Sequence, residues 1–125
     1  MSSYYGKDFD HTCRYLIRNL NCKFPVKIRT VTTEQMKRLC KKAFAGEKDS
    51  TDPVYAICTF DETNTRVKSA TIYIIRGLSV TFAEWQLVHE LAHVIQKGGE
   101  KAPHGNAWGI AYSKLYKIYT GENGE

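Results

Sequence analysis

Four stretches of the chain repeat apolar residues every three or four positions, the spacing that forms one buried face of an α-helix. The first repeat consists of Phe9, Cys13, Leu16, Ile17 and Leu20. The second consists of Met36, Leu39, Cys40, Ala43 and Phe44. The third consists of Phe82, Trp85, Val88, Leu91, Ala92 and Ile95, and the fourth of Trp108, Ala111, Leu115 and Ile118. We therefore expect four amphipathic helices with these residues on their buried faces.

Three shorter stretches predict β-strands. Residues 26–31 alternate apolar and basic side chains, as a half-exposed strand does. Residues 54–60 and 68–75 are rich in β-branched and aromatic residues and flank a turn-like segment. The continuous apolar run at 72–75 indicates burial on both faces. This order predicts a single α+β domain over residues 1–125, with a small, mainly antiparallel sheet of about three strands and about four helices.

Two helix starts carry capping signals. Thr32 with Gln35, and Thr81 with Glu84, have the spacing of a capping box. The glycine pair at 98–99 ends the third helix. The third helix is therefore expected to begin at the second capping box and to include residues 89–93.

The charge balance is modestly basic. The chain has 18 Lys and Arg against 13 Asp and Glu, a net charge of +5. This balance is compatible with a nucleic-acid or acidic-protein partner, and equally with ordinary solubility. Four basic residues on the second helix are expected to form a solvated face, namely Lys37, Arg38, Lys41 and Lys42.

Composition also limits compartment and membrane contact. No apolar run approaches the ~20 residues that span a bilayer. Residues 1–10 lack the apolar core of a signal peptide, so we expect a cytoplasmic protein without membrane contact. No two of the four cysteines have the Cys-x-x-Cys spacing of a zinc knuckle, and we expect Cys13, Cys40 and Cys58 to be free, buried thiols.

The chemistry is concentrated in His89-Glu90-Leu91-Ala92-His93. Histidines four residues apart lie ~6 Å apart on one face of a helix. Two imidazoles so placed can bind one Zn²⁺ at ~2.0–2.1 Å. Glu90, beside the first histidine, is placed to reach a metal-bound water rather than the metal.

A third protein ligand is expected further along the chain. His104, followed by a glycine, is our candidate, and a surface loop histidine is the alternative interpretation. Glu100 is the only acid between His93 and Glu122, but no helix orients it, so it ranks below His104. Three protein ligands and one open position are typical of a catalytic zinc site.

These residues resemble the SprT-like zinc metallopeptidases. That group has a His-Glu-x-x-His helix followed by a histidine-glycine pair and an aromatic residue, here Trp108. The resemblance implies a zincin-like fold, with His89, His93 and His104 as zinc ligands and Glu90 as the general base. It also implies that the aromatic residue lies beneath the third ligand. Larger members add a four-cysteine zinc ribbon, which these residues do not contain.

The function that we expect is hydrolysis of peptide bonds in a protein or peptide substrate, with a zinc-bound water activated by Glu90. The alternative is a non-proteolytic zinc domain that binds protein or nucleic acid, such as a phage factor acting on a host target. Residues 69–75 are a candidate edge strand for substrate. Tyr112 and Tyr73 are either oxyanion donors or packing residues, Asn106 is expected to cap the last helix, and His11 is expected at the surface.

Overall fold

In the described residues, four helices and three strands follow one another in the order that the apolar pattern predicts. The computed structural model describes residues 4–20, 24–43, 54–96 and 106–120. The elements are α1 (Lys7–Leu20), β1 (Val26–Val31), α2 (Thr33–Ala43), β2 (Ala56–Glu62), β3 (Val67–Ile75), α3 (Val80–Gln96) and α4 (Asn106–Thr120). The predicted α+β fold class is confirmed.

The three strands form one mixed sheet in the order β1-β3-β2. β1 pairs with β3 in parallel, and β2 pairs with β3 in antiparallel orientation. The sheet is therefore mixed, whereas the sequence predicted a mainly antiparallel one. Ile72 illustrates the central place of β3, because it lies opposite both Ile28 and Cys58. The prediction that β3 offers a free edge to substrate is therefore wrong. The apolar run that indicated burial belongs to a strand hydrogen-bonded on both sides.

Alternate residues of β3 contribute to two separate apolar clusters. Ala70, Ile72 and Ile74 are fully buried in the main core with residues of α1, α3 and α4. Tyr73 and Ile75 pack on the opposite face, in a smaller cluster that includes residues of α2. α2 thus lies on one face of the sheet and α3 on the other. Tyr73 is a packing residue on the face away from α3, which argues against the oxyanion role considered for it.

The N-terminal segment fixes the connection between β3 and α3. The Tyr5 hydroxyl donates a hydrogen bond to the carbonyl oxygen of Ile75 and accepts one from the backbone N–H of Leu78 at 3.1 Å. Gly77, between these two positions, has a φ of 93°, which favours glycine. The start of α3 is therefore held in place by a contact distant in sequence.

The cap of α3 differs from the prediction. Ser79 Oγ accepts a hydrogen bond from the backbone N–H of Phe82 at 3.1 Å, so Ser79 caps the helix instead of Thr81. Glu84 does not complete a capping box, because its carboxylate accepts a hydrogen bond from the Tyr119 hydroxyl at 2.9 Å. A serine two residues upstream competes with the threonine for the same role.

The other predicted capping box is confirmed at the start of α2. The backbone N–H of Thr32 donates to Gln35 Oε1 at 2.9 Å, and the backbone N–H of Gln35 donates to Thr32 Oγ1 at 3.2 Å. These reciprocal bonds satisfy two donors that a helix start leaves without helical partners.

Three cysteines within the described residues are thiols rather than members of a disulfide. Cys13 is buried, and burial raises the pKa of its thiol to about 12. Cys40 and Cys58 are only partly buried, which differs from the expectation of full burial. Cys22 lies outside the described residues. No helix in the described ranges is both long and apolar enough to cross a membrane.

Candidate metal centre

α3 separates an inward row of apolar residues from an outward row that carries the chemistry. Ala83, Leu87, Leu91 and Val94 are buried in the main core. The opposite face carries Phe82, Trp85, His89 and His93 at helical spacing, each partly or largely exposed. Because the inward row is held by the core, the direction of the outward row is fixed as well.

The two histidines of the motif lie side by side. Their ring centroids are 5.2 Å apart, with 65° between the ring planes. The side chain of His89 is 36% exposed, so this edge of the helix is accessible from solvent. Neighbouring imidazoles on successive turns are the arrangement that the His-x-x-x-His spacing predicts.

Glu90 lies beneath the histidines. Its Oε2 is 3.9 Å from His89 Nε2, and the residue as a whole is only 6% exposed. One ligand atom from each of His89, Glu90 and His93 can be chosen so that all three lie within 4.8 Å of one another. In the described part of the chain, this is the only group of three His, Cys, Asp or Glu residues that could hold a metal ion.

The carboxyl group of Glu90 is in an unusual electrostatic environment. It is the only buried charged side chain among the described residues. Burial raises its pKa from an ordinary value of 4.5 to about 8, because the charged form loses contact with water. A buried carboxyl with a raised pKa beside two histidines is typical of a functional site rather than of a structural core.

The donor set fits a divalent transition metal. Two imidazole nitrogens favour ions such as Zn²⁺, Fe²⁺ or Ni²⁺ over Mg²⁺ and Ca²⁺, which prefer all-oxygen sites. A cation between the imidazoles would also favour the ionised form of Glu90 and offset the cost of its burial. The residues present therefore suit a metal, and their chemistry does not select one metal among these.

Other residues predicted for the site have mixed outcomes. His104 and Glu100 lie outside the described residues, so the third ligand stays a prediction. Tyr112 is half-buried against the main core and stacks on Tyr116 with ring centroids 6.2 Å apart, which supports the packing interpretation. His11 is exposed on α1, as expected.

Trp85 does not lie on the buried face that its apolar spacing predicts. We expected it on the buried face, but it is 51% exposed. The signal that could have shown this is its spacing, because Trp85 precedes His89 by four residues and so shares its face. Ile95, also expected to be buried, is largely exposed near the end of α3.

Comparison with known proteins adds no relative. The chain has no significant match to a protein-family model, to a curated protein or to a solved structure. The geometry of His89, Glu90 and His93 is therefore the observation on which a functional interpretation depends.

Proposed function

We propose that this protein is a zinc-dependent metallopeptidase. The observation that carries the proposal is the pairing of two outward histidines with one buried carboxyl on the same helix. The histidines would hold the ion at an accessible edge, and the carboxyl would stand beside it without contact with bulk water. The resemblance to SprT-like metallopeptidases supports the same assignment.

His89 and His93 would bind zinc through ring nitrogens, with His104 as the third protein ligand. Zinc held by three protein ligands supplies a Lewis acid and lowers the pKa of its bound water toward ~7. The helix orients the two imidazoles, because both belong to the face opposite its buried row.

Glu90 would act as the proton carrier. A carboxylate oxygen of Glu90 would accept a proton from the attacking water and later deliver it to the leaving amine. Burial raises the pKa of Glu90 in the metal-free protein, and a Zn²⁺ ion held by the two histidines would favour the ionised form that accepts a proton.

Metal content of the purified protein is the first test. We expect one zinc per chain in the wild type, and loss of stoichiometric zinc in His89→Ala, His93→Ala and His104→Ala. His11→Ala is the matched control, because His11 is exposed on a different helix and should leave the zinc content unchanged. A folded, zinc-supplemented wild type without zinc would contradict the proposal.

Hydrolysis is the second test. Zinc-loaded wild type should cleave an unfolded protein such as casein or a peptide library, and Glu90→Gln should retain zinc but lose at least about 100-fold in rate, the usual contribution of a general base. Full activity in Glu90→Gln would remove Glu90 from the chemistry.

A non-proteolytic zinc domain that binds nucleic acid is the second candidate. It is favoured by the exposure of all four basic residues of α2, Lys37, Arg38, Lys41 and Lys42. This function predicts a DNA mobility shift that weakens steeply with salt and is lost when these residues are replaced by Gln. A protein that shows this shift and hydrolyses no peptide would support the second candidate over the first.

A further inference from the structure

A row of aromatic side chains runs along the surface to the candidate metal centre. Tyr55, just before β2, lies against Phe82 with ring centroids 5.2 Å apart. Phe82 in turn lies 6.4 Å from Trp85, and both contacts are edge-on. Trp85 ends this row and is half exposed. Single exposed apolar residues are common on protein surfaces, but contiguous exposed apolar surface is typical of interaction sites.

The indole ring of Trp85 is held from its other side as well. It lies near the Tyr119 hydroxyl, which donates a hydrogen bond to Glu84 Oε1 at 2.9 Å. Contacts from α3 and α4 therefore restrain the ring while about half of its surface remains open to solvent. A restrained, open aromatic surface loses little entropy when it binds an apolar group.

The distance from Trp85 to the metal centre matches a few residues of substrate. Trp85 precedes His89 by one helical turn, which is ~6 Å along the axis. An extended peptide advances ~3.3 Å per residue. A peptide with its scissile bond at the histidines would therefore place the side chain two or three residues away over the indole ring.

We propose that Trp85 determines substrate specificity by binding an aromatic or large aliphatic side chain two or three residues from the scissile bond. This inference rests on the proposed metallopeptidase function. Tyr55 and Phe82 support the ring, and Trp85 makes the direct contact. Short peptides that carry only small or charged residues at those positions would be poor substrates.

Peptide hydroxamates test this without hydrolysis, because a hydroxamate chelates zinc directly. Two series are needed, one with the hydroxamate at the C-terminus and one at the N-terminus of the peptide, so that both chain directions are sampled. Within each series, Phe replaces Gly at the second or third residue. Affinity for the zinc-loaded protein is measured by calorimetry. The variants are Trp85→Ala, Trp85→Phe and, as a matched exposed apolar control, Ile110→Ala.

We expect Phe to bind about tenfold more tightly than Gly in one series, equivalent to about 1.4 kcal/mol and typical of one aromatic contact. Trp85→Ala should remove the preference with zinc content unchanged, and Trp85→Phe and Ile110→Ala should keep it. No preference in either series, or a preference that survives in Trp85→Ala, would overturn the inference.

The same samples separate this inference from the proposed function. Hydrolysis of casein without any Phe preference would overturn the inference alone. A Phe preference that depends on Trp85, in a protein that hydrolyses no peptide, would overturn the proteolytic function and support Trp85 as a recognition residue. A protein that binds no zinc overturns both.

Discussion

Replacing Glu90 by Gln should stabilise the metal-free protein at alkaline pH, although it should abolish hydrolysis. Gln has nearly the same shape but cannot ionise, so the change removes only the cost of a buried charge. In the metal-free fold, burial raises the pKa of Glu90 from 4.5 to about 8. The desolvated carboxyl is therefore a source of instability that a bound cation would relieve.

The sign of this change in stability follows from the pH at which Glu90 ionises in the folded and in the unfolded chain. Below about pH 4.5 the carboxyl is protonated in both the folded and the unfolded chain, and no ionisation cost exists. As the pH rises, the unfolded chain ionises first and binds fewer protons than the folded chain, so the free energy of unfolding falls. The fall ends above about pH 8, where the folded chain also ionises.

The magnitude of the change in stability follows from the two pKa values of Glu90, 4.5 in the unfolded and about 8 in the folded chain. Each tenfold difference in proton affinity is worth about 1.4 kcal/mol. The rise in the pKa of Glu90 from 4.5 to about 8 therefore limits the cost of its ionisation in the folded chain to roughly 4–5 kcal/mol. Structural relaxation and water penetration reduce the effective cost of a buried charge. We therefore expect Glu90→Gln to raise the free energy of unfolding by about 2–4 kcal/mol near pH 8 and by about 1 kcal/mol or less near pH 5.

Urea unfolding in the presence of EDTA, followed by circular dichroism at both pH values, measures this difference. Glu34→Gln is the matched control, because the side chain of Glu34 is 77% exposed and its ion pair with Lys37 lies at the surface. That control should change stability by less than about 1 kcal/mol at either pH. Equal stability of Glu90→Gln and the wild type near pH 8 would refute the reasoning, as would a loss of stability.

Three further predictions concern the fold. Burial raises the pKa of Cys13 to about 12, so its alkylation by iodoacetamide near pH 8 should be at least about 100-fold slower in the native than in the urea-unfolded protein. Peptide mass spectrometry follows the reaction, and equal rates in the two states would contradict the burial of Cys13. In urea titrations, Ser79→Ala should lower the free energy of unfolding by about 1 kcal/mol, and Thr81→Ala should lower it by much less. A larger loss in Thr81→Ala would indicate that Thr81 caps the helix instead. Ile72→Ala should cost about 2–5 kcal/mol in the same titrations, whereas Ile110→Ala should be nearly neutral; similar costs would argue against Ile72 as the centre of the core.

Local patterns were sufficient to predict most elements. The bounds of β1 agree with the alternation of apolar and basic residues over Val26–Val31. The repeat from Phe9 to Leu20 predicts α1, and the capping box of Thr32 and Gln35 predicts where α2 begins. In each case the signal lies within a few residues of the element it describes, so no knowledge of distant contacts is needed.

Strand pairing could not be predicted in the same way. Whether β1 runs parallel or antiparallel to β3 depends on how α2 and the following residues return the chain to the sheet, which is a non-local property. The apolar run at 72–75 indicated burial but not which strands cover it. The prediction of β3 as an edge strand was wrong because β3 lies between β1 and β2, and an apolar run is compatible with either position.

For the candidate site, spacing predicts which side chains share a face but not which face meets solvent. α3 is apolar on most of its circumference, so periodicity alone did not separate Trp85 from Leu87 or Leu91. Packing of the sheet and α4 against one side of the helix makes that separation, and the two histidines on the other side are partly exposed. Glu90 lies at the boundary between the two sides, next to an accessible His89 but itself buried. Its raised pKa is thus a consequence of tertiary packing around a local motif, and this is why the motif alone could name the residue but not its electrostatic state.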